Sequence, residues 1–156
     1  MMDRGQKRLG EMLIDKGLIT AEQLTSALEE QKKTKEFLGT ILLKRKQIAE
    51  RALLEVLSEQ FNIPFVNLDY KYIDWELLKK FSPSLIQEHR CIPLRKDDFS
   101  ITIATTNPLD PWALKKAEEE SRGLKLKLVL VSEGAMEDAI KRYKQYLKGD
   151  MSKLFE

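Results

Sequence analysis

Two residue types on which site chemistry often rests are nearly missing from these 156 residues: there is one cysteine, Cys91, and one histidine, His89. A lone thiol forms no internal disulfide. The pair supplies too few nitrogen or sulfur ligands for a metal site and lacks the third group that orients a nucleophile. Both residues are therefore expected to be structural. The seven glycines nowhere form the G-x-x-x-x-G-K-[ST] loop that wraps a nucleoside triphosphate, and no G-x-G-x-x-G follows a strand. No enzymatic activity is expected. Long apolar runs are missing too: Leu128-Val129-Leu130-Val131 is typical of the longest, against roughly eighteen residues for a membrane span. With no leader pattern in Met1 to Lys7, the expected location is cytoplasmic, with no direct membrane insertion and any membrane role exerted through a partner. An excess of one charge is the last absence. Lys and Arg number 27 against 25 Asp and Glu, which gives no general pull toward nucleic acid.

What the chain does have is an internal repeat. Laying residues 8–31 over 37–60, an offset of 29, matches Leu9 with Leu38, Gly10 with Gly39, Leu13 with Leu42 and Ile19 with Ile48. Leu24 falls on Leu53, Leu28 on Leu57 and Gln31 on Gln60, so glycine, leucine and glutamine recur in one register. Each copy has the spacing of two amphipathic helices: Leu9, Met12 and Leu13, then Leu24, Ala27, Leu28 and Gln31. Gly17 fits the left-handed end of the first helix, and Thr20 with Gln23 fits a capping box for the second. The second copy has Lys46 in place of Gly17, a less suitable turn residue. Asn62-Ile63-Pro64 then closes the helical region.

Beyond Phe65 the period changes. Phe65 to Leu68 is read as a short strand, and Asp74 and Ser82-Pro83 as the starts of two short helices. Cys91 to Arg95 and Phe99 to Thr105 form a hairpin around Lys96-Asp97-Asp98, with Phe99, Ile101 and Ile103 inward and Ser100 and Thr102 on a wet face. Asp110-Pro111 starts a helix that runs to about Arg122 and ends at Gly123; Glu118-Glu119-Glu120 is its solvated face. Leu124, Leu126, Leu128 and Leu130 alternate with lysines in a third strand. Ser132 caps a last helix with the face Met136, Ala139, Ile140 and Tyr143. The expected fold is α+β: four helices in two pairs over 1–64, a small three-stranded sheet packed with helices over 65–148, and a tail or linker over 149–156.

A twofold repeat suits a twofold ligand, because each copy can contact one half in the same way. Cyclic dinucleotides are such ligands. Gly10 and Gly39, placed near helix starts, would offer free N–H groups to a phosphate. Arg8 would add charge, Gln31 and Gln60 would read a base edge, and the leucines would pack on ribose and base. The same residues also fit a plainer reading, in which the glycines let helices cross closely and the glutamines end helices.

The stretch Arg8-Leu9-Gly10-x-x-Leu13-Ile14-x-x-Gly17-Leu18-Ile19-x-x-x-x-Leu24-x-x-x-Leu28-x-x-Gln31, repeated after five residues, resembles the MshE-type amino-terminal domain of type II secretion and type IV pilus ATPases. Asn62-Ile63-Pro64-Phe65, Arg90-Cys91-Ile92-Pro93-Leu94, Ile103-Ala104-Thr105-Thr106-Asn107-Pro108 and Ile140-Lys141-Arg142-Tyr143 resemble its later landmarks, so the likeness covers nearly the whole chain. The resemblance implies a non-catalytic module whose partners are a downstream ATPase domain and an inner-membrane platform protein. It further implies cyclic di-GMP as a ligand and no other cofactor. The residues it assigns to that ligand are Arg8, Leu9, Gly10, Leu24, Leu28 and Gln31 in the first copy, and Phe37, Leu38, Gly39, Leu53, Leu57 and Gln60 in the second. Phe37 stands where the family often has a basic residue, and Lys46 where it has the turn glycine. The alternative is an interaction module with no ligand.

Overall fold

The structure, a computed structural model, describes residues 4–149. The tail expected over 149–156 lies, beyond Gly149, outside them. The chain divides into two compact units, residues 1–63 and 64–156.

The first unit holds α1 (Arg4–Asp15), α2 (Ala21–Thr34), α3 (Leu38–Lys44) and α4 (Glu50–Phe61). Leu9, Met12 and Leu13 of α1 are buried, as are Leu38, Ile41 and Leu42 one repeat later in α3. The two turns share one hydrogen-bond pattern. Gly17, at φ 72°, donates to Ile14 O, and Leu18 donates to Leu13 O. In the second copy Lys46, at φ 58°, donates to Leu43 O, and Gln47 to Leu42 O. The lysine thus adopts a left-handed backbone that a glycine takes without strain. Thr20 and Gln23 form a reciprocal capping box at 3.1 and 2.9 Å, whereas its counterpart Ala49 caps α4 with no side chain. The main helix pairings run between copies, α2 with α3 and α1 with α4.

One expectation is corrected here. Gly10 is not near a helix start. It is the seventh residue of a helix that begins at Arg4, past the first four N–H groups that a helix leaves free. Gly39 is the second residue of α3 and keeps a first-turn position.

The second unit opens with a 3-10 turn (Tyr70–Tyr72), then α5 (Trp75–Leu78) and α6 (Pro83–Gln87). Asp74 and Ser82 cap those helices by accepting the N–H groups of Leu77 and Leu85, each at 3.2 Å. There follow β1 (Cys91–Lys96), β2 (Ser100–Thr105), α7 (Pro111–Glu120), β3 (Lys125–Leu130) and α8 (Glu133–Leu147). The sheet order is β1-β2-β3. β1 runs antiparallel to β2 across a tight hairpin, and β3 runs parallel to β2 because α7 carries the chain back. A register shift between Pro93 and Arg95 bends β1, and there Leu94 O accepts the Asp74 N–H at 2.9 Å. Met136, Ala139, Ile140 and Tyr143 of α8 pack into the core of this unit with Ile92, Ile101 and Ile103.

Three readings of this half need correction. Residues 65–68 form no strand: Phe65 makes one parallel bridge to Leu130, and the preceding Pro64 has no N–H with which to extend a ladder. The expected division of β2 into an inward and a wet face holds only in part: Thr102 is half-buried beside exposed Arg95 and Lys127, but Ser100 is buried, its N–H and hydroxyl held by Asp97, while Phe99, expected inward, is 83% exposed. Of the three glutamates in α7, Glu118 and Glu119 are exposed, but Glu120 turns inward to Ser82. It accepts the Ser82 N–H at 2.6 Å and the Ser82 hydroxyl at 2.7 Å. α7 itself ends at Glu120, before left-handed Arg122 and Gly123. The observed architecture is the expected α+β class, a helical repeat followed by a three-stranded sheet with helices.

Candidate ligand site in the helical repeat

The twelve residues singled out in the repeat all lie in the first unit. Leu9 and Leu38 are 1% and 0% exposed, so the two equivalent leucines occupy equivalent core positions. Each glycine faces the leucine that follows it by the same interval. A Cβ on Gly10 would stand 2.9 Å from Leu24 Cδ1, and one on Gly39 would stand 2.9 Å from Leu53 Cδ2. The missing side chains thus let the helices of each copy cross closely, as the plainer reading expected. Burial then separates the copies: Leu24 and Leu28 are half-buried, whereas Leu53 and Leu57 are buried.

The glutamines are engaged within the unit. Gln31 Nε2 donates to Gln6 Oε1 and, at 3.1 Å, to Glu36 O. Gln6 Oε1 also accepts the Leu38 N–H at 3.0 Å. Phe37, the N-cap residue of α3, has no side-chain acceptor, so Gln6 of α1 caps α3 from the other copy. Gln60 Nε2 donates to Gly5 O at 2.8 Å. Its Oε1 is buried and has no hydrogen-bond partner among the described residues, an acceptor left over where nearly all are paired.

Charge at the site is modest and accessible. The Arg8 side chain is 58% exposed and reaches Glu11 only at 3.7 Å, an exposed pair that holds it weakly. Phe37 is half-buried. Arg8 and the half-buried Leu24, Leu28 and Phe37 put one cation and three partly accessible apolar side chains among the candidate residues. Sequence reasoning missed Gln6. Its partners lie 25 and 32 residues away, and the one hint was the absence of Ser, Thr, Asp or Asn before Leu38.

Cys91 is fully buried, its Sγ 3.6 Å from His89 O. Burial first, with a smaller opposing hydrogen bond from Thr105, pushes the thiol up to about 11, which makes it a poor nucleophile at neutral pH. Among the described residues no three His, Cys, Asp or Glu side chains gather as a metal site, and no helix is long and apolar enough to cross a membrane.

A tandem helix-pair repeat followed by a small mixed sheet defines a two-unit α+β module. The family model of the MshEN domain matches residues 61–150, more than half of the chain, and the chain belongs to that family. The chain is 31% identical over 136 residues to the type IV pilus assembly ATPase PilB of Myxococcus xanthus, covering 87% of this chain and 24% of that protein. It is 25% identical over 140 residues to the bacteriophage adsorption protein B of Escherichia coli, covering 90% of this chain and 18% of that protein. The chain thus spans a quarter or less of these curated relatives. Among solved structures it matches MshE with cdg at a TM-score of 0.75 and 24% identity, over 86% of this chain and 97% of that one. It matches the N-terminal domain of XpsE at a TM-score of 0.62 and 18% identity, over 90% and 97% of the two chains. The family match begins at residue 61 and covers mostly the second unit, so the repeat carrying the candidate residues, 8–60, lies before it.

Proposed function

We propose that this chain is a non-catalytic regulatory and docking module of a type IV pilus or type II secretion motor ATPase, and that its helical repeat binds cyclic di-GMP. The observation that carries the ligand reading is the duplication of contacts. Leu9 and Leu38 are buried alike, equivalent glycines meet equivalent leucines, and the two turns share one hydrogen-bond pattern. A ligand of two identical halves matches such a pair. The MshE structure with cdg, the abbreviation of cyclic di-GMP, has the same fold and supports the reading. Arg8 supplies the cation, and half-buried Leu24 and Leu28 supply the apolar contact. The docking reading places a downstream ATPase domain and an inner-membrane platform protein as partners, in keeping with the pilus ATPase relative. Calorimetric titration of the full chain with cyclic di-GMP tests the ligand; no heat at high micromolar ligand would remove it.

A second reading, a docking module without a nucleotide, is favoured by one specific observation. Gln31 and Gln60 already spend their N–H groups within the unit, on Gln6, Glu36 and Gly5, and a ligand reading base edges would have to displace those bonds. Retained binding to a platform protein in a chain that gives no calorimetric signal would select this reading.

A further inference from the structure

The hairpin between β1 and β2 ends in an apolar side chain held out into solvent. Phe99 is 83% exposed, yet its backbone is fixed. Asp97 Oδ1 accepts the N–H groups of Phe99 and Ser100 at 2.8 and 2.7 Å, and the Asp97 N–H returns to Ser100 O at 2.9 Å. These bonds hold the Asp97 carboxyl below its ordinary range, the Phe99 and Ser100 N–H groups being the largest causes. On the far side Phe99 O accepts the Lys125 N–H at 2.9 Å, tying the tip to β3. The ring is thus presented on a rigid mount, the condition under which a contact residue loses least entropy on binding.

Around the tip the charge is mostly of one sign. Arg95 and Lys96 end β1, and Lys125 and Lys127 start β3; all four are exposed. The register places Arg95, Thr102 and Lys127 in one row across the three strands, beside a hollow of about 250 Å³. Among the described residues none of these cations has an ion pair, and Lys127 bears electrostatically on Asp97. The tip also lies at the end of the sheet opposite Leu130, where residues 64–66 join it.

We propose that this hairpin tip is a protein-docking knob: Phe99 enters an apolar pocket of a partner whose rim is acidic, and Arg95, Lys96, Lys125 and Lys127 pair with that rim. An exposed aromatic at a tip that also carries four cations has the make-up of a binding hot spot and its polar rim. A lipid surface fits less well. Asp97 and Asp98 immediately precede Phe99, so seating the ring among anionic headgroups would bring two carboxylates against them. A phosphate backbone meets the same two carboxylates. The proposal deepens the docking reading above and rests on it.

The test uses the full chain and the purified cytoplasmic domains of the inner-membrane platform proteins from the same pilus or secretion system, with binding measured by calorimetry. Phe99→Ala is expected to weaken binding about ten- to a hundredfold, with an unchanged melting temperature, since the residue is 83% exposed. Lys125→Glu with Lys127→Glu is expected to weaken it roughly tenfold and to reverse the sign of its salt dependence. Trp112→Ala, at another solvent-facing aromatic (72% exposed), should change nothing. Binding that ignores both Phe99→Ala and the lysine reversals overturns the knob and leaves docking standing. Binding of no platform domain overturns the knob and the docking reading together. Phe99-dependent binding to phosphatidylglycerol vesicles, with no platform domain displacing them, would make the partner a lipid and overturn the proposal.

Discussion

Gly10 faces Leu24 so closely that a Cβ on the glycine would stand 2.9 Å from the leucine's Cδ1. Gly39 repeats the arrangement against Leu53, but the two leucines differ in freedom: Leu24 is half-buried, and Leu53 is 6% exposed. Leu24 can therefore rotate outward to admit a methyl group, while Leu53 is confined by its neighbours. Gly39→Ala is expected to destabilise the chain by about 1–3 kcal/mol through overpacking. Gly10→Ala should fall within about 1 kcal/mol of the parent, because alanine also gains up to roughly 1 kcal/mol over glycine inside a helix. Thermal or urea unfolding of the two variants distinguishes them; equal losses would mean that Leu24 is no freer than Leu53.

The Lys46 turn offers a gain. Its φ of 58° copies the 72° of Gly17 with a residue that carries a Cβ. Lys46→Gly is expected to stabilise the chain by about 0.5–1 kcal/mol, and Gly17→Lys to destabilise it by a similar amount. Matched melting curves would check both signs.

Ser82 and Glu120 supply a pH dependence. Burial raises the Glu120 carboxyl, but the Ser82 N–H and hydroxyl, aided by Lys116, outweigh it and hold the group below its ordinary 4.5. A carboxyl depressed on folding stabilises the native state above 4.5, and that contribution is lost as pH falls below 4.5 through the folded value. Glu120→Ala is expected to cost about 1.5–3 kcal/mol at neutral pH and to flatten the acid limb of the stability curve. An acid limb as steep as the parent's would show that other carboxyls set it.

For the ligand, Arg8→Ala is expected to weaken cyclic di-GMP binding about ten- to a hundredfold, the loss of one charge-assisted contact. The exposed Arg8–Glu11 pair means that little fold stability goes with it. Phe37→Arg should tighten binding by restoring a second basic residue. Phe37 is half-buried, so its melting temperature must be measured alongside. Tight binding indifferent to Arg8→Ala would place the site elsewhere.

Local chemistry made most of the elements legible in the sequence. Thr20, Asp74, Ser82, Asp110 and Ser132 each cap the helix that follows, because a side-chain oxygen beside free N–H groups is a signal contained within four residues. What escaped depends on distant partners. Residues 65–68 meet the sheet at Leu130, and Glu120 turns inward because Ser82, 38 residues earlier, offers two donors. Ser100 reads as solvated, but in the folded hairpin its N–H and hydroxyl are both taken by Asp97. In the repeat, the spacing of glycines and leucines was visible, but that Gln6 would cap α3 was not: nothing near Leu38 names it.

Gln60, at the end of α4, donates to the backbone of Gly5 much as Gln31, at the end of α2, donates to that of Glu36, and α4 packs on α1 as α2 packs on α3. The helical unit is therefore circular: seen from its contacts, it has no first copy. A permuted chain that opens between the copies and joins Phe61 to Arg4 through a short linker keeps every helix pairing. A single copy, alone in solution, leaves uncovered the apolar face its twin would cover. Two such copies related by a twofold axis rebuild the same four helices as a homodimer.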